Sequence, residues 1–323
     1  MATIISMGEL LIDFTPMGEN ADGQLLFARN PGGAPANVAV QAARLGTSAG
    51  FLGCVGNDMF GHFLKGTLDS CGVETDGLTL NDEFATTLAF VQLNGKGDRD
   101  FSFYRNPGAD TRLDFDKIDL NLFKECKLLC FGSLLLTAEP SRTTVEKVVK
   151  YAKSNNIITA YDPNWRAPLW QDKNEGVERM KSLVKFSDIV KVSDEELELL
   201  TGESSMRAGA DCFLEDGVKI VVVTLGAAGC AVFTKKFSFE MSTYDTKVVD
   251  TTGSGDSFFG AFLSKIVASG KNVEEISEAE FKAFADFANA AGSTCATKTG
   301  AIPALPNMQE IESCMKSVNK INS

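Results

Sequence analysis

The sequence predicts an α/β protein with a doubly wound, mostly parallel sheet and a small β-sheet lid. Short apolar runs that resemble buried strands alternate with stretches of helical periodicity along most of the 323 residues. This alternation is typical of parallel strands with helices on both faces. One stretch in the first half of the chain breaks it and has the pattern of a β-hairpin. No repeat or linker separates a second unit, so we expect one domain over residues 1–323.

The main sheet is predicted from six short runs of β-branched and other apolar residues. They lie at residues 3–7, 49–56, 128–132, 157–161, 188–192 and 219–225. A helix from about Ala36 to Leu45 separates the first two, and helical periodicity follows each later run. Because right-handed crossovers bring the carboxyl ends of parallel strands to one edge, we expect the ligand cleft at that edge.

The predicted hairpin consists of residues 84–93 and 99–105 around the turn-rich segment 94–98. Its alternating pattern fits a plain hairpin on the edge of the main sheet. It fits equally well a flap that stands off that sheet. We expect the flap, a lid formed by parts of residues 14–29 and 84–112.

Composition excludes several classes of function. The net charge of −12 disfavours nucleic acid and anionic membranes as partners, so a phosphate must be bound by local dipoles and metal ions. The first residues lack the basic region of a signal peptide, and no segment is long enough for a membrane helix, so we expect a cytoplasmic protein. His62 is the only histidine, which rules out a multi-histidine metal centre. The eight scattered cysteines suit reduced core positions.

The strongest motif is DTTGSGDSFFGAFL, residues 250–263. We expect a strand-like stretch to end at its start, Gly253, Ser254 and Gly255 to form a tight turn, and a helix to begin around Asp256. Such a turn lets backbone N–H groups converge on an anion at a helix N-terminus. Asp256 would lie beside the phosphate and accept a proton from a substrate hydroxyl. A capped helix without function is the alternative.

A second motif, PGGAPANVAVQAARLG, has the composition of a small-ligand site. Gly32 and Gly33 allow the backbone to approach a polar ligand closely. Asn37, just inside the following helix, offers a donor and an acceptor to sugar hydroxyls. Asp13 follows the first strand and could reach the same cleft, although a solvated loop carboxylate explains it equally well.

Three shorter motifs have both a functional and a structural interpretation. TLGAAG, residues 224–229, suits a turn that faces a nucleotide, or a simple β-turn between strands. Arg166 could neutralise a transferring phosphoryl group, or it could stack on Trp165 or Trp170. In KVSDEELELL, Ser193 and Glu196 are explained by helix capping alone. No Walker A motif occurs, so a kinase of this sequence would not be a P-loop enzyme.

In this order, the motifs resemble the ribokinase, or pfkB, family of carbohydrate kinases over nearly the whole chain. PGGAPANVA with G-x-V-G-x-D-x-F-G at residues 53–61 is similar to its N-terminal signature, and DTTGSGDSFFGAF is similar to its C-terminal signature. The resemblance implies a ribokinase-like fold, with sugar and ATP as ligands and Mg²⁺ as cofactor. It implies Asp256 as catalytic base and Gly253, Ser254 and Gly255 as the anion hole.

The resemblance also implies the remaining site residues. The sugar would be held by Asp13, Gly32, Gly33, Asn37, Arg105 and Arg166. The nucleotide would be flanked by Lys191, Ser193, Thr224, Gly226, Gly229 and Asn289. Glu196 matches the acid of the N-x-x-E motif that organises magnesium and its waters, with Ser193 in place of the asparagine. Asp250, Thr252 and Gly300 loosely match a monovalent cation site, commonly for potassium.

Within the family, YRNPGAD, YDPNWRAPLW and KVSDEE are similar to fructokinases. This likeness implies transfer of the γ-phosphate of ATP to the 6-hydroxyl of D-fructose, with Arg105 reaching the sugar from the lid. It also implies a homodimer through the lid, with Phe101 and Phe103 as contacts. Two alternatives stay open. Arg105 and Arg166 could clasp the carboxylate of 2-keto-3-deoxygluconate in a kinase for that sugar acid. A catalytically silent sugar-binding or regulatory protein could also use this scaffold.

Overall fold

The computed structural model describes residues 1–93 and 99–321, in which the chain forms thirteen strands and nine α-helices. The predicted turn at 94–98 lies outside the described residues. The strands are β1 (Ile4–Met7), β2 (Leu11–Glu19), β3 (Leu25–Gly32), β4 (Ala49–Gly56), β5 (Val73–Asn81), β6 (Leu88–Leu93), β7 (Arg99–Tyr104), β8 (Leu128–Gly132), β9 (Ile158–Asp162), β10 (Ile189–Ser193), β11 (Ile220–Thr224), β12 (Cys230–Phe233) and β13 (Ser238–Met241). The helices are α1 (Ala34–Arg44), α2 (Met59–Ser70), α3 (Ser141–Ser154), α4 (Lys173–Val184), α5 (Asp194–Thr201), α6 (Met206–Glu215), α7 (Ser254–Ser269), α8 (Glu278–Cys295) and α9 (Met308–Ser317).

The larger sheet confirms the doubly wound prediction. Its strand order is β13-β12-β11-β10-β9-β8-β1-β4-β5, and all strands from β11 to β5 pair in parallel. Each of the six predicted runs is a strand of this sheet to within one residue at either end. Successive residues of β8 enter different apolar clusters, Leu128 with α1, α7, α8 and α9, and Leu129 with α3 to α6. Helices therefore cover both faces, and the strands are apolar throughout because both sides are buried.

Three local expectations were wrong. β11 is followed by the antiparallel strands β12 and β13, where we expected a helix. The stretch before Asp250 is not a strand, and its apolar pair Val248 and Val249 is exposed to solvent. Helix α7 begins at Ser254, two residues before the expected start, because Gly253 adopts the left-handed conformation and breaks the chain direction there.

A small separate sheet confirms the flap and excludes the plain edge hairpin. Its order is β3-β2-β6-β7, with β2 and β6 parallel and the outer pairs antiparallel. The hairpin of β6 and β7 therefore joins strands from near the N-terminus, and the larger sheet has its own edge at β5. Asp13, for which a solvated loop was the alternative interpretation, lies within β2 because the chain re-enters extended conformation at Leu11.

The remaining features concern the cysteines and the membrane. All eight cysteines lie in the described ranges, where none is paired and six are buried, as expected for small core side chains. Among the residues that the structure describes, no helix has the length and apolar content needed to cross a bilayer.

Candidate active site

The N-terminus of α7 supplies two backbone amides that point out of the helix. Gly253 caps the helix with a φ of 79°, and the amide of Ser254 donates a hydrogen bond to the carbonyl of Thr251 at 3.1 Å. The amides of Gly255 and Asp256 have no acceptor among the described residues, as is usual in a first helical turn. The amide of Ser254 is therefore engaged within the turn, whereas those of Gly255 and Asp256 are left for an anion.

Asp256 is brought directly against Asn37 of helix α1. Nδ2 of Asn37 donates to Oδ2 of Asp256 at 2.7 Å, which joins two motifs that lie 219 residues apart in the chain. Burial raises the pKa of Asp256, while Lys191, the Asn37 hydrogen bond and Arg166 act in the opposite direction. The raised pKa makes this carboxylate a better proton acceptor than an exposed aspartate.

A cleft of about 310 Å³ opens in front of these two residues. This volume lies at the lower end of the range for small-molecule sites. The predicted site residues that line it are Asp13, Gly33, Asn37, Arg166, Lys191, Thr252, Gly253, Gly255 and Asp256. Leu11 and Phe103 contribute from the small sheet, so the cleft lies between the two sheets, as expected for the carboxyl edge of a parallel sheet.

The sugar-side glycines are required by close backbone packing. A Cβ on Gly32 would lie 2.1 Å from Oδ2 of Asp13, and a Cβ on Gly33 would lie 2.3 Å from the carbonyl oxygen of Glu9. Gly33 also has a φ of 115°, which favours glycine. Gly32 therefore makes room for the Asp13 carboxylate at the cleft wall. The buried Oδ1 of Asn37 has no partner within residues 1–93 and 99–321, so it can accept a ligand hydroxyl.

Lys191 forms a buried ion pair beside the start of α7. Its Nζ donates to Oδ2 of Asp162 at 2.8 Å, and it lies 3.4 Å from where a Cβ on Gly255 would be. Burial raises the pKa of Asp162 to about 6, against the opposing effect of Lys191. Burial alone would lower the pKa of Lys191, but Asp162, Glu196 and Asp256 raise it overall. The ammonium group thus stays charged next to the free amides.

Glu9 is a cleft residue that the sequence motifs do not single out. It is 2% exposed and lines the cleft, and its Oε1 accepts from the amide of Ala34 at 3.0 Å. Its Oε2 has no partner in the part of the chain that the structure describes. Burial raises the pKa of Glu9 to about 8, so the side chain is neutral at pH 7. The available signal was an acid within the apolar N-terminal stretch, which by itself indicates no role.

The two predicted arginines behave differently. Arg166 lines the cleft and donates to the carbonyl of Trp165 at 3.0 Å. Trp165 and Trp170 stack on each other, with ring centroids 5.9 Å apart. Arg105 does not line the cleft. Its guanidinium is bonded to the buried Asp110 at 2.6 Å, which needs a cationic partner.

Lys191 lines the cleft, but four other predicted nucleotide residues lie outside it, near the turn between β11 and β12: Thr224, Gly226, Gly229 and Asn289. This is the simple turn between strands that the sequence allowed. Oγ1 of Thr224 donates to the carbonyl of Val192 at 3.3 Å, and Gly226 is exposed. Gly229 and Asn289 both pack against Met241. A Cβ on Gly229 would lie 2.1 Å from the Met241 carbonyl oxygen, to which Nδ2 of Asn289 donates at 3.3 Å.

Glu196 is engaged by backbone amides. Its Oε1 accepts from Trp165 at 2.6 Å, and its Oε2 accepts from Ser193 at 2.9 Å. Ser193 caps α5 in return through its own hydroxyl, which confirms the predicted capping. The described residues contain no group of three or more acidic, cysteine or histidine side chains that could hold a metal directly. Each carboxylate oxygen keeps a second lone pair, so Glu196 fits a metal that is held through water.

Asp250, Thr252 and Gly300 are brought together next to the start of α7. Oδ1 of Asp250 accepts from the amide of Thr252 at 2.8 Å, and Oδ2 accepts from the amide of Gly300 at 3.0 Å. Oγ1 of Thr252 is buried and finds no partner in the described ranges. A buried carboxylate beside a hydroxyl oxygen matches the oxygen ligands of a hard cation.

Sequence comparison places this geometry among carbohydrate kinases. The profile of the family described as "pfkB family carbohydrate kinase" matches residues 1–308. The chain is 41% identical over 320 residues to probable fructokinase-5 of Arabidopsis thaliana, with 98% of each chain covered. It is 42% identical over 316 residues to fructokinase-2 of Solanum lycopersicum, with 97% of this chain and 96% of that protein covered.

Solved structures of fructokinases also superpose on this chain. A fructokinase from Xylella fastidiosa with bound ATP superposes with a TM-score of 0.91 at 29% identity, over 98% of this chain and 99% of that one. A fructokinase double mutant from Vibrio cholerae, with fructose, ADP and a potassium ion bound, superposes with a TM-score of 0.88 at 32% identity. That match covers 97% of this chain and 98% of the other.

Proposed function

Because the chain belongs to the pfkB family of carbohydrate kinases, we propose that it is an ATP-dependent fructokinase. It transfers the γ-phosphate of ATP to the 6-hydroxyl of D-fructose. The observation that carries the proposal is the pairing of Asp256 with Asn37 at the N-terminus of α7, inside a cleft of monosaccharide dimensions. The identities above 40% to plant fructokinases support fructose as the acceptor.

In the proposed mechanism, Asp256 accepts the proton of the 6-hydroxyl as its oxygen attacks phosphorus. Asn37 orients the carboxylate through its 2.7 Å hydrogen bond. The amides of Gly255 and Asp256, with the ammonium of Lys191, stabilise charge that develops on the phosphoryl oxygens. The small sheet covers the cleft as a lid and limits transfer to water.

We propose Mg²⁺ as the divalent cofactor, held through water by Glu196. When bound, Mg²⁺ neutralises charge on the nucleotide phosphates. Asp250, Thr252 and Gly300 are the proposed monovalent cation site, and the potassium ion of the Vibrio cholerae fructokinase supports that choice. ATP is proposed to lie beside the turn of β11 and β12, next to Gly226, Gly229 and Asn289, with Lys191 reaching its phosphates.

Fructose is favoured over 2-keto-3-deoxygluconate by the position of Arg105. A sugar-acid kinase would use two arginines for the carboxylate, but Arg105 is committed to Asp110. Arg166 is left as the cleft arginine, beside Asp256 and Lys191, where it suits a phosphoryl group.

We also propose a homodimer through the small sheet and a cytoplasmic location. Leu25, Phe27 and Tyr104 are 56%, 38% and 69% exposed on this sheet, and the rings of Phe27 and Tyr104 both pack against Phe90. Phe103 lines the cleft instead, and the side chain of Phe101 lies outside the described residues. Light scattering is expected to show a dimer mass that Leu25→Asp lowers. A monomer at every concentration would contradict the dimer.

A substrate panel tests the proposed function. ADP release is measured with fructose, ribose, nucleosides and 2-keto-3-deoxygluconate as acceptors. Fructose is expected to give the highest kcat/KM. A higher value for the sugar acid would favour the alternative kinase. Binding of fructose without any release of ADP would favour a catalytically silent protein.

A further inference from the structure

A second cavity, of about 240 Å³, lies near the root of the small sheet. It is enclosed by residues 105–107, which follow β7, by the end of the short 3₁₀ helix Leu134–Thr137, and by Trp170 just before α4. Leu134 at the other end of that short helix lines the main cleft. The cavity therefore shares a wall with the cleft, and it contains Arg105 and Trp170, which the proposed reaction does not use.

The cavity is lined by two arginines, together with polar side chains that accept hydrogen bonds. Arg142 is fixed in place because its Nε donates to the carbonyl of Leu136 at 2.8 Å. Arg105 is fixed as well, with NH1 donating to Oγ1 of Thr137 at 2.6 Å. The donors are pre-organised, so a ligand rich in acceptors would gain hydrogen bonds at a small entropic cost.

The charges of the cavity favour an anion at Arg142. The buried Asp110 offsets the charge of Arg105, and Glu175 is paired with Arg179 at 2.8 Å. The carboxylate that the structure pairs with Arg142 is that of Glu139, which is 3.7 Å away and half exposed, so the pair is weak.

Apolar surface lies beside these donors. Pro107, Ala138, Leu169 and Trp170 supply it. A small ring can pack there while an attached anion reaches the arginine.

We propose that this cavity is a binding site for a sugar phosphate, with the phosphate at Arg142 and the sugar ring against the apolar wall. A phosphate monoester can pair with Arg142, whereas a neutral sugar leaves this guanidinium with only the weak Glu139 pair. The site is separate from the main cleft. A ligand in it contacts both the segment after β7 and the wall of the cleft.

The test is calorimetric titration with fructose 6-phosphate while saturating fructose and a non-hydrolysable ATP analogue fill the main cleft. One equivalent is expected to bind, with a change in the fluorescence of the two tryptophans of the chain. Arg142→Gln is expected to weaken this binding by about tenfold or more, and Trp170→Phe by several-fold. Arg207→Gln is the matched control, because Arg207 pairs with Asp211 on the surface of α6.

Three results would overturn the proposal. One is the absence of binding once the main cleft is filled, and another is equal affinity in the Arg142→Gln and Arg207→Gln variants. The third is inorganic phosphate binding as tightly as fructose 6-phosphate, which would leave no role for the ring wall. If Arg142→Gln fails to fold, Trp170→Phe still gives the answer. Normal ADP release by the Arg142→Gln variant would separate this site from the kinase site.

Discussion

Asp256 combines a raised proton affinity with a fixed orientation. Asparagine at this position keeps the shape of the side chain and still accepts the amide hydrogen of Asn37, but it cannot take a proton. We expect Asp256→Asn to lower kcat by about 10²–10⁴ while the KM for fructose changes little. Steady-state ADP release measures both constants. Asp211→Asn on the surface is the control, and near-normal turnover of Asp256→Asn would remove the assigned base.

Glu9 makes a pH-dependent prediction about stability. Its pKa is about 8 in the folded chain, against 4.5 for an unperturbed glutamate, so the folded state retains a proton that the unfolded state loses between these values. The wild type therefore loses stability as pH rises through this window. We expect Glu9→Gln to remove that loss. The free energy of unfolding of the variant minus that of the wild type should therefore rise by roughly 2–4 kcal/mol from about pH 5 to about pH 8.

Denaturant unfolding at several pH values measures this difference. Glu178→Gln on the exposed surface of α4 controls for the loss of a carboxyl group in general. A difference between Glu9→Gln and wild type that stays constant with pH would contradict a neutral, buried Glu9.

Individual site residues were predictable where the signal was local. The glycine turn and helix start identified Asp256 and Asn37, since each lies within a short motif that dictates its conformation. Glu9 and the Asp162–Lys191 pair depend on partners 25 and 29 residues away, so no local pattern marks them. Arg105 does not line the cleft in this structure because Asp110, five residues later, folds back to pair with it.

Helix α7 has a left-handed glycine at each end, which gives a matched pair of variants. Gly253 and Gly270 have φ values of 79° and 65°. A Cβ on Gly253 would lie 3.0 Å from the Cα of Ala301, whereas nothing lies within 4 Å of one on Gly270. Alanine should cost about 1–2 kcal/mol of stability at either end.

The two variants should differ in activity. Gly253→Ala should displace the amides of Gly255 and Asp256 and lower kcat by at least about tenfold. Gly270→Ala should keep its activity, because it lies at the far end of the helix. Thermal unfolding and ADP release measure the two effects, and equal activity in both variants would contradict a role for the helix N-terminus.

Strands and helices were predictable where the burial of a segment and the period of its apolar residues indicate the same element. The six buried runs were found because strands that are covered on both faces must be apolar throughout. The TLGAAG motif allowed a turn between strands, but the bounds of β12 and β13 were not predicted because a short antiparallel hairpin on the sheet edge resembles a loop followed by a polar stretch. The Val248 and Val249 pair suggested a strand, but no neighbouring strand covers it.

At the scale of the molecule, two sheets form the cleft. The larger sheet positions Asp162, Lys191 and the start of α7, and the small sheet supplies Leu11, Asp13 and Phe103. The chain carries a net charge of −12, yet Lys191 and Arg166 line the cleft. In the proposed site, these local groups would hold the phosphate against the opposing bulk charge. Which residues of the small sheet face the cleft could not be predicted, because that depends on strand register between distant segments.

The most direct test is ³¹P NMR of the products that the enzyme forms from ATP and fructose. If a carboxylate base and helix amides act in a covered cleft, the products should be fructose 6-phosphate and ADP in equal amounts, with little inorganic phosphate. Inorganic phosphate as the main product, or no turnover of ATP with any sugar, would contradict phosphoryl transfer from this site to a sugar hydroxyl.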